Sequence, residues 1–261
     1  MLSTVFSTYI PAFSGPWHRL WLGLLFTLLF AAIARWLHGV TNGGAFAGVV
    51  VCFLLYLGGG LGAFAALIAV FLLAWSSTRI GYQRKRKLGI AEEKQGRKAS
   101  QVFANLGVAA VCAALYRWQG SALLLLAAAA AMSEAAGDTF SSEIGKLLTL
   151  SPRLITTWKP VPAGTDGAIS LAGTLAGLLA AVVVSFVCIV TNFLPAQWMA
   201  VSIASAFCGM MTDSFLGAKF QHQSAGDRKL LNNDAVNFLS TLASAVIAIL
   251  FTLFRKGFVP R

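Results

Sequence analysis

Carboxylates and hydroxyls gather near the middle of this chain, in the stretch Gly-Asp-Thr-Phe-Ser-Ser-Glu-Ile-Gly at residues 137–145. Asp138 and Glu143 supply hard oxygen ligands, which suit Mg²⁺, an ion that typically binds one or two carboxylates together with substrate phosphates. Histidine and cysteine, the usual ligands of zinc, are missing from this stretch. We therefore predict that Asp138 and Glu143 are catalytic residues and ligands of Mg²⁺. The glycines at 137 and 145 suggest helix breaks or close backbone approach, and a break would bring the two carboxylates together.

A second stretch, Met-Thr-Asp-Ser-Phe-Leu-Gly at residues 211–217, repeats the pattern of a carboxylate and a hydroxyl before a glycine. It is followed by Asn-Asn-Asp-Ala-Val-Asn at residues 232–237. The weak likeness between the two acidic stretches suggests an internal repeat, with two half-sites that face each other. Here we predict two further metal ligands, Asp213 and Asp234, and three residues that bind substrate or nucleotide, Ser214, Asn233 and Asn237.

Basic and amide side chains around the first acidic stretch are suited to bind phosphates and a nucleotide. The Pro/Gly-rich loop 152–167 leads into an apolar run, and Thr165 or Asp166 could cap that helix so that its first amides face the site. The loop does not match the P-loop pattern. We predict that Arg97 and Lys159 are catalytic residues that neutralise a transferred phosphoryl group. The residues predicted to bind nucleotide or substrate are Lys87, Gln101, Asn105, Gly164, Thr165 and Asp166. The two amides could instead bond a neighbouring helix.

The composition indicates that transmembrane helices position these residues. Of 261 residues, 57% are hydrophobic and 11% are charged, whereas a soluble domain carries about 25% charged residues. We predict one all-α domain, a polytopic transmembrane helix bundle of about seven or eight spans, each built from ~20 apolar residues. The predicted spans are 17–34, 40–57, 61–77, 102–116, 121–136, 168–193, 198–217 and 236–254. Segment 1–16 is predicted as interfacial, 79–100 as a basic cytoplasmic loop and 137–167 as the active-site loop.

The net charge of +11 comes from basic residues in short loops between these spans. Fifteen of the twenty Lys and Arg residues fall on one side of the eight-span topology, and the positive-inside rule makes that side cytoplasmic. This placement predicts contact with membrane lipids and no binding of nucleic acid. Six of the nine carboxylates lie at the same ends of the spans, namely Glu134, Asp138, Glu143, Asp166, Asp213 and Asp234. Glu92, Glu93 and Asp227 are predicted to be solvated in loops. Because acids in a span cost insertion energy, their clustering predicts an active site at the membrane surface.

At these residues the sequence resembles the membrane protein family that contains animal transmembrane protein 19 and the plant phytyl-phosphate kinases. Five motifs carry the resemblance in order along the chain, at residues 78–89, 96–105, 137–145, 152–167 and 213–218. The resemblance implies a nucleotide-dependent kinase that uses CTP to phosphorylate an isoprenyl monophosphate, such as phytyl phosphate, to the diphosphate. It also implies kinship with polytopic lipid kinases and with cytidylyltransferases that make CDP-lipids. The chain departs from the family pattern at Trp158 and Leu106, where members often carry glycine.

Three functions remain open from the sequence. A Mg²⁺-dependent kinase would use a nucleoside triphosphate and an isoprenyl-phosphate lipid, whose anionic oxygen needs no strong general base. A cytidylyltransferase would use the same residues but attack the α-phosphate of the nucleotide. A transporter of an anionic solute would suit an internal repeat with broken helices, but such sites lie near the bilayer midplane. The acids of this chain crowd toward one membrane face, which favours an enzyme.

Overall fold

The computed structural model describes residues 16–91, 96–221 and 230–257, and most of them are helical. The helices are α1 (Pro16–Trp36), α2 (Asn42–Arg79), α3 (Tyr82–Lys87), α4 (Ala99–Gln119), α5 (Ala122–Leu148), α6 (Leu171–Val190), α7 (Met199–Leu216) and α8 (Asn233–Gly257). A π-helical turn, Gly217–Gln221, extends α7. The predicted segment 1–16, except for its last residue, and the predicted loop acids Glu92, Glu93 and Asp227 lie outside the described residues.

Helix α2 is a hairpin of two antiparallel arms. Its 38 residues would extend ~57 Å as a straight helix, about twice the ~30 Å thickness of a bilayer's hydrocarbon core. At Gly60 the backbone adopts φ 62° and ψ −150°, a conformation that residues with a Cβ rarely adopt. The indole Nε1 of Trp75 donates to the carbonyl of Leu37 at 3.2 Å. The end of the second arm therefore lies beside the start of the first, so α2 supplies two of the predicted spans.

Helix α5 forms the centre of the bundle and packs against α2, α4, α6, α7 and α8. Its residues 127–131 are all fully buried alanines, whose small side chains let neighbouring helices approach closely. At Gly137 an added Cβ would lie 3.0 Å from the carbonyl oxygen of Gly177, so glycine is needed where α5 and α6 touch. Buried hydroxyls connect the same region, because Ser185 Oγ lies 3.0 Å from Ser133 Oγ and 2.9 Å from Ser202 Oγ.

Six of the described helical segments are long and apolar enough to cross a membrane, and α1 adds a shorter apolar helix, Leu20–Trp36. Counting the two arms of α2 separately gives eight segments, in agreement with the predicted seven or eight. The predicted polytopic all-α bundle is confirmed. Both ends of α2, the starts of α4, α6 and α8, and the ends of α5 and α7 meet at one end of the bundle, which we call the site end.

Two local predictions about the site end are wrong. Helix α5 continues without a break to Leu148, so residues 137–148 of the predicted active-site loop are helical. The glycine at 137 allows close backbone approach between helices, which is the alternative to a helix break at that residue. Helix α6 is capped by Ser170, whose Oγ accepts a hydrogen bond from Gly173 N at 3.1 Å, and not by Thr165 or Asp166. The remaining loop, residues 149–170, is tied together by two antiparallel strands, β1 (Arg153–Leu154) and β2 (Ala168–Ile169).

Candidate active site

A cavity of about 910 Å³ opens at the site end of the bundle. Its volume lies within the range of ~300–1,000 Å³ that is typical of small-molecule sites. Twelve of the fifteen residues predicted to form the site line it: Arg97, Gln101, Asn105, Asp138, Glu143, Gly164, Thr165, Asp166, Asp213, Ser214, Asn233 and Asn237. Residues from five separate parts of the chain thus meet in one place. Their individual roles remain predictions.

Asp138 and Asp213 face the cavity from the ends of α5 and α7, two parallel helices in contact. The two carboxylates lie close enough to repel each other, while Arg97 and Lys146 attract Asp138. Such a pair of like charges favours a cation between them. The two acidic stretches also occupy equivalent ends of their helices, which agrees with the repeat suggested by their sequences.

A chain of polar side chains from α8 and α4 holds Asp213 in place. Ser240 Oγ donates to Asp213 Oδ2 at 3.3 Å. With its amide oriented to satisfy its neighbours, Asn237 donates to the same Oδ2 and accepts from Asn105 Nδ2, both at 3.2 Å. Asn105 in turn donates to the backbone carbonyl of Gln101 at 2.8 Å. The two asparagines therefore connect α4 and α8 across the cavity wall.

Glu143 has a different environment from the other predicted metal ligands. Its Oε2 forms a buried ion pair with Lys85, and its Oε1 lies 3.1 Å from Lys146 Nζ. Lys85 also donates to the carbonyl of Ser77 at 2.9 Å, so it joins α3 to the end of α2 as well as to α5. Both oxygens of Glu143 are thus taken by ammonium groups. This arrangement suits a carboxylate that positions basic residues better than one that binds a metal.

Arg97 lies where the hairpin meets α5. Its backbone N–H donates to Gly39 O and its carbonyl accepts from Thr41 N, both at 3.0 Å. Its guanidinium donates to Thr139 Oγ1 at 3.0 Å, one residue beyond Asp138. Fixed at both ends, this side chain presents positive charge to the cavity beside the carboxylates. Arginine in such a position suits bidentate binding of a phosphate.

The loop 149–170 closes one side of the cavity through two glycines with positive φ. At Gly167 (φ 75°) an added Cβ would lie 2.2 Å from the backbone nitrogen of Ala218, so the loop packs tightly on the π-helical turn after α7. At Gly164 (φ 86°) it would lie 2.7 Å from Ile90 Cγ2. Between them, Thr165 and Asp166 line the cavity, and Thr165 Oγ1 donates to Pro162 O at 2.7 Å. The tight turn places these two polar residues at the rim.

Three predicted site residues lie outside the cavity wall. Lys87 and Lys159 are exposed to solvent, on α3 and on the outer turn of the loop, and Asp234 lies in the first turn of α8. The short helix α3 turns Lys85 inward and leaves Lys87 outside, a choice that a run of four basic residues does not reveal. An acid at the start of α8 is well placed to interact with the helix dipole.

Sequence reasoning also missed four basic residues that face the cavity or its wall: Arg79, Lys85, Lys98 and Lys146. Only Lys146 carried a signal, because it lies three residues after Glu143 on the same helical face. The rest depend on how the short segments between α2 and α4 fold over the cavity, which composition and periodicity do not specify.

Asp138 and Asp213 are the two carboxylates that a divalent cation in this cavity would meet between the ends of α5 and α7. Among the described residues, no group of three or more His, Cys, Asp or Glu side chains is arranged to hold a metal. Mg²⁺ fits this donor set, because it binds through one or two carboxylates and completes its shell with water and phosphate oxygens. Glu134 lies one turn deeper on α5, is 1% exposed, and its Oε1 has no hydrogen-bond partner within the described part of the chain.

The fold and the cavity together define a class of protein, a multi-pass integral membrane protein with a polar cavity at one end of its helix bundle. Residues 25–245 match the family described as integral membrane protein DUF92, and the chain belongs to this family. The family recognised above from five sequence motifs is thereby confirmed.

Three relatives show the breadth of this family. The chain is 33% identical to Protein VTE6, chloroplastic, of Arabidopsis thaliana, over 83% of this chain and 66% of that protein. It therefore spans just under two thirds of that relative's length. It is 30% identical to an uncharacterised membrane protein of Methanocaldococcus jannaschii, over 89% of this chain and 94% of that protein. The chain is 27% identical to Protein PGR of Arabidopsis thaliana, over 90% of this chain and 96% of that protein. No solved structure matches the chain.

Proposed function

We propose that this protein is a membrane-embedded kinase that transfers the γ-phosphoryl group of a nucleoside triphosphate, CTP in particular, to an isoprenyl monophosphate. One observation carries the proposal. Two facing carboxylates, a fixed arginine and a lysine share a cavity that opens at the end of a membrane helix bundle. Phosphoryl transfer needs positioning and charge neutralisation more than covalent chemistry, and these are the groups that it uses. Membership of a family that contains plant phytyl-phosphate kinases supports the choice of substrate.

In this proposal Asp138 and Asp213 would hold Mg²⁺, which would supply positive charge to neutralise the nucleotide phosphates. Arg97 and Lys146 flank Asp138 and bind the phosphate oxygens of the two substrates. Both cations are held in place, Arg97 by Thr139 and Lys146 by Glu143. Because the attacking oxygen belongs to a lipid phosphate and is already anionic, the reaction requires no strong general base.

We assign the nucleotide to the polar wall of the cavity, which α4, α8 and the loop 149–170 form. Asn233 lines this wall together with Asn105 and Asn237, whose amides also hold Asp213, and Thr165 and Asp166 offer a hydroxyl and a carboxylate at the rim. Such groups can bond to a ribose or a base without the P-loop that this chain lacks. Since most basic residues lie at the site end, we place this end on the cytoplasmic face, where nucleotides are available.

Purified protein with Mg²⁺, each nucleoside triphosphate in turn, and a panel of prenyl alcohols and prenyl phosphates tests the proposal. We expect CTP and a prenyl monophosphate to give CDP and the prenyl diphosphate. Pyrophosphate and a CDP-lipid would instead show a cytidylyltransferase. If no combination turns over while proteoliposomes carry an anionic solute, and if that flux persists in Asp138→Asn, the enzyme proposal fails and a transporter replaces it.

A further inference from the structure

The cavity has an apolar lobe that no catalytic step uses. It extends from the polar wall toward α1 and the hairpin α2. Its lining there includes Phe30 and Ala31 from α1, Gly48 and Val51 from the first arm of α2, and Leu67 and Phe71 from the second arm. Within the described residues no charged side chain lines this lobe beyond Arg79 at its mouth. The lobe therefore offers an environment for hydrocarbon and none for a nucleotide.

The lobe reaches deep into the membrane-spanning part of the bundle. Along the second arm its lining runs from Thr78 at the site end to Leu67, which is ~16 Å of helix. Along the first arm it runs from Gly44 to Val51, or ~10 Å. These depths amount to roughly a third to a half of a ~30 Å hydrocarbon core. A lipid tail that enters here stays at the depth it would have in the bilayer.

Arg97 joins the apolar lobe to the carboxylates. Its backbone pairs with Gly39 and Thr41 at the start of the hairpin, and its guanidinium reaches Thr139 beside Asp138. A ligand with an anionic head at Arg97 would thus have its tail directed between the arms of α2. Helix α1 packs mainly against α2 and contributes Phe30 to the lobe, so it forms one wall of this space.

We propose that this lobe binds the hydrocarbon tail of the acceptor lipid phosphate, and that its depth selects tail length. The inference rests on the proposed function, because it places the acceptor of that reaction. The acceptor is bound with its phosphate at Arg97 and its tail between α1 and the arms of α2. A tail that fills the lobe gains apolar contact that a short prenyl group cannot make, so kcat/KM rises with tail length.

Gly48 is a position where a side chain can begin inside the lobe without a collision at its Cβ. Gly44, Gly48 and Val51 share one face of the first arm and all line the cavity. A Cβ added at Gly48 would meet no heavy atom within 4 Å, whereas at Gly44 it would lie 2.2 Å from the carbonyl oxygen of Arg97. Gly107, on α4, is equally open but does not line the cavity, and it provides a matched control.

The test compares Gly48→Leu with Gly107→Leu on geranylgeranyl phosphate and dimethylallyl phosphate. We expect Gly48→Leu to lower kcat/KM for the long acceptor by roughly tenfold or more and to leave the short one unchanged. Gly107→Leu should change neither. Equal losses on both acceptors in Gly48→Leu, or the same chain-length effect in Gly107→Leu, would overturn the assignment.

A second measurement detects binding of the lipid and does not depend on turnover. It therefore tests the tail site even if the protein is not a kinase. Geranylgeranyl phosphate that carries a diazirine at the end of its tail is photolysed with the purified protein, and the labelled peptides are mapped. We expect label on α1 and α2, competed by unlabelled lipid and reduced in Gly48→Leu. Competed label on other helices alone, or no competed label at all, contradicts the tail site whether or not the protein is a kinase.

Discussion

At the scale of single residues, the four carboxylates predicted as metal ligands divide into two groups. Asp138 and Asp213 face the cavity, and they remain available for a cation. Glu143 is only 2% exposed and has both oxygens in ion pairs with lysines. Asp234 lies away from the cavity wall, at the start of α8. The same residue type thus has a proposed catalytic role in one place and a structural role in another.

Neutralising Asp138 should remove activity and leave the fold intact. Asp138→Asn keeps the size of the side chain but removes one of the two charges proposed to hold Mg²⁺, so we expect kcat to fall at least about a hundredfold. Asp234→Asn is the control, because it makes the same change outside the cavity, and it should keep near wild-type turnover. Both are measured as initial rates on protein of matched thermal stability. Equal activity of the two variants would contradict the assignment.

Removing Lys85 should destabilise the protein, because Glu143 would then lose its fully buried partner. Breaking a buried ion pair typically costs about 3–5 kcal/mol, and although Lys146 remains beside Glu143 Oε1, we expect a clear fall in the thermal midpoint of Lys85→Met in detergent. The double variant with Glu143→Gln should recover part of this loss. Lys87→Met changes an exposed lysine of the same short helix and should leave the midpoint unchanged. If Lys85→Met and Lys87→Met have the same thermal midpoint, the buried ion pair does not contribute to stability.

At the scale of elements, the loop 149–170 is held against the end of α7 by a contact that only glycine permits. Gly167→Ala would place a methyl group against Ala218, in a backbone conformation with φ 75°. Gly89 has φ 72° and open space around it, so Gly89→Ala carries the same backbone strain of about 1–2 kcal/mol without the collision. We expect nucleotide KM to rise in Gly167→Ala alone. Equal KM values in the two variants would show that the contact does not position the loop.

Other elements show what the sequence could and could not specify. Apolar runs of membrane length predicted the spans, because the bilayer demands such runs wherever the chain crosses it. The sequence also placed twelve site residues at one end of the bundle through the eight-span topology. It did not show that α5 continues past Gly137, since a glycine that serves helix contact looks like one that breaks a helix. Nor did it distinguish Lys85 from Lys87, because their difference depends on how α3 docks.

At the scale of the whole molecule, the cavity, the basic loops and both ends of the hairpin share one end of the bundle. The proposed reaction requires this end to face the cytoplasm. Single cysteines at Ser151 and Ser121, in a chain without its four native cysteines, should therefore react from opposite sides of intact cells. We expect an impermeant thiol reagent to label Ser121→Cys in intact cells and Ser151→Cys only after permeabilisation. The reverse pattern would place the cavity outside.

The fate of the nucleotide phosphates tests the central claim most directly. Purified protein is incubated with Mg²⁺, a prenyl monophosphate and CTP that carries radiolabel on either the γ- or the α-phosphate. The proposed chemistry predicts that γ-label, and not α-label, enters the lipid as its diphosphate, and that Asp138→Asn abolishes the transfer. Label from the α-phosphate in the lipid, or no transfer from any nucleoside triphosphate by the wild-type protein, would contradict it.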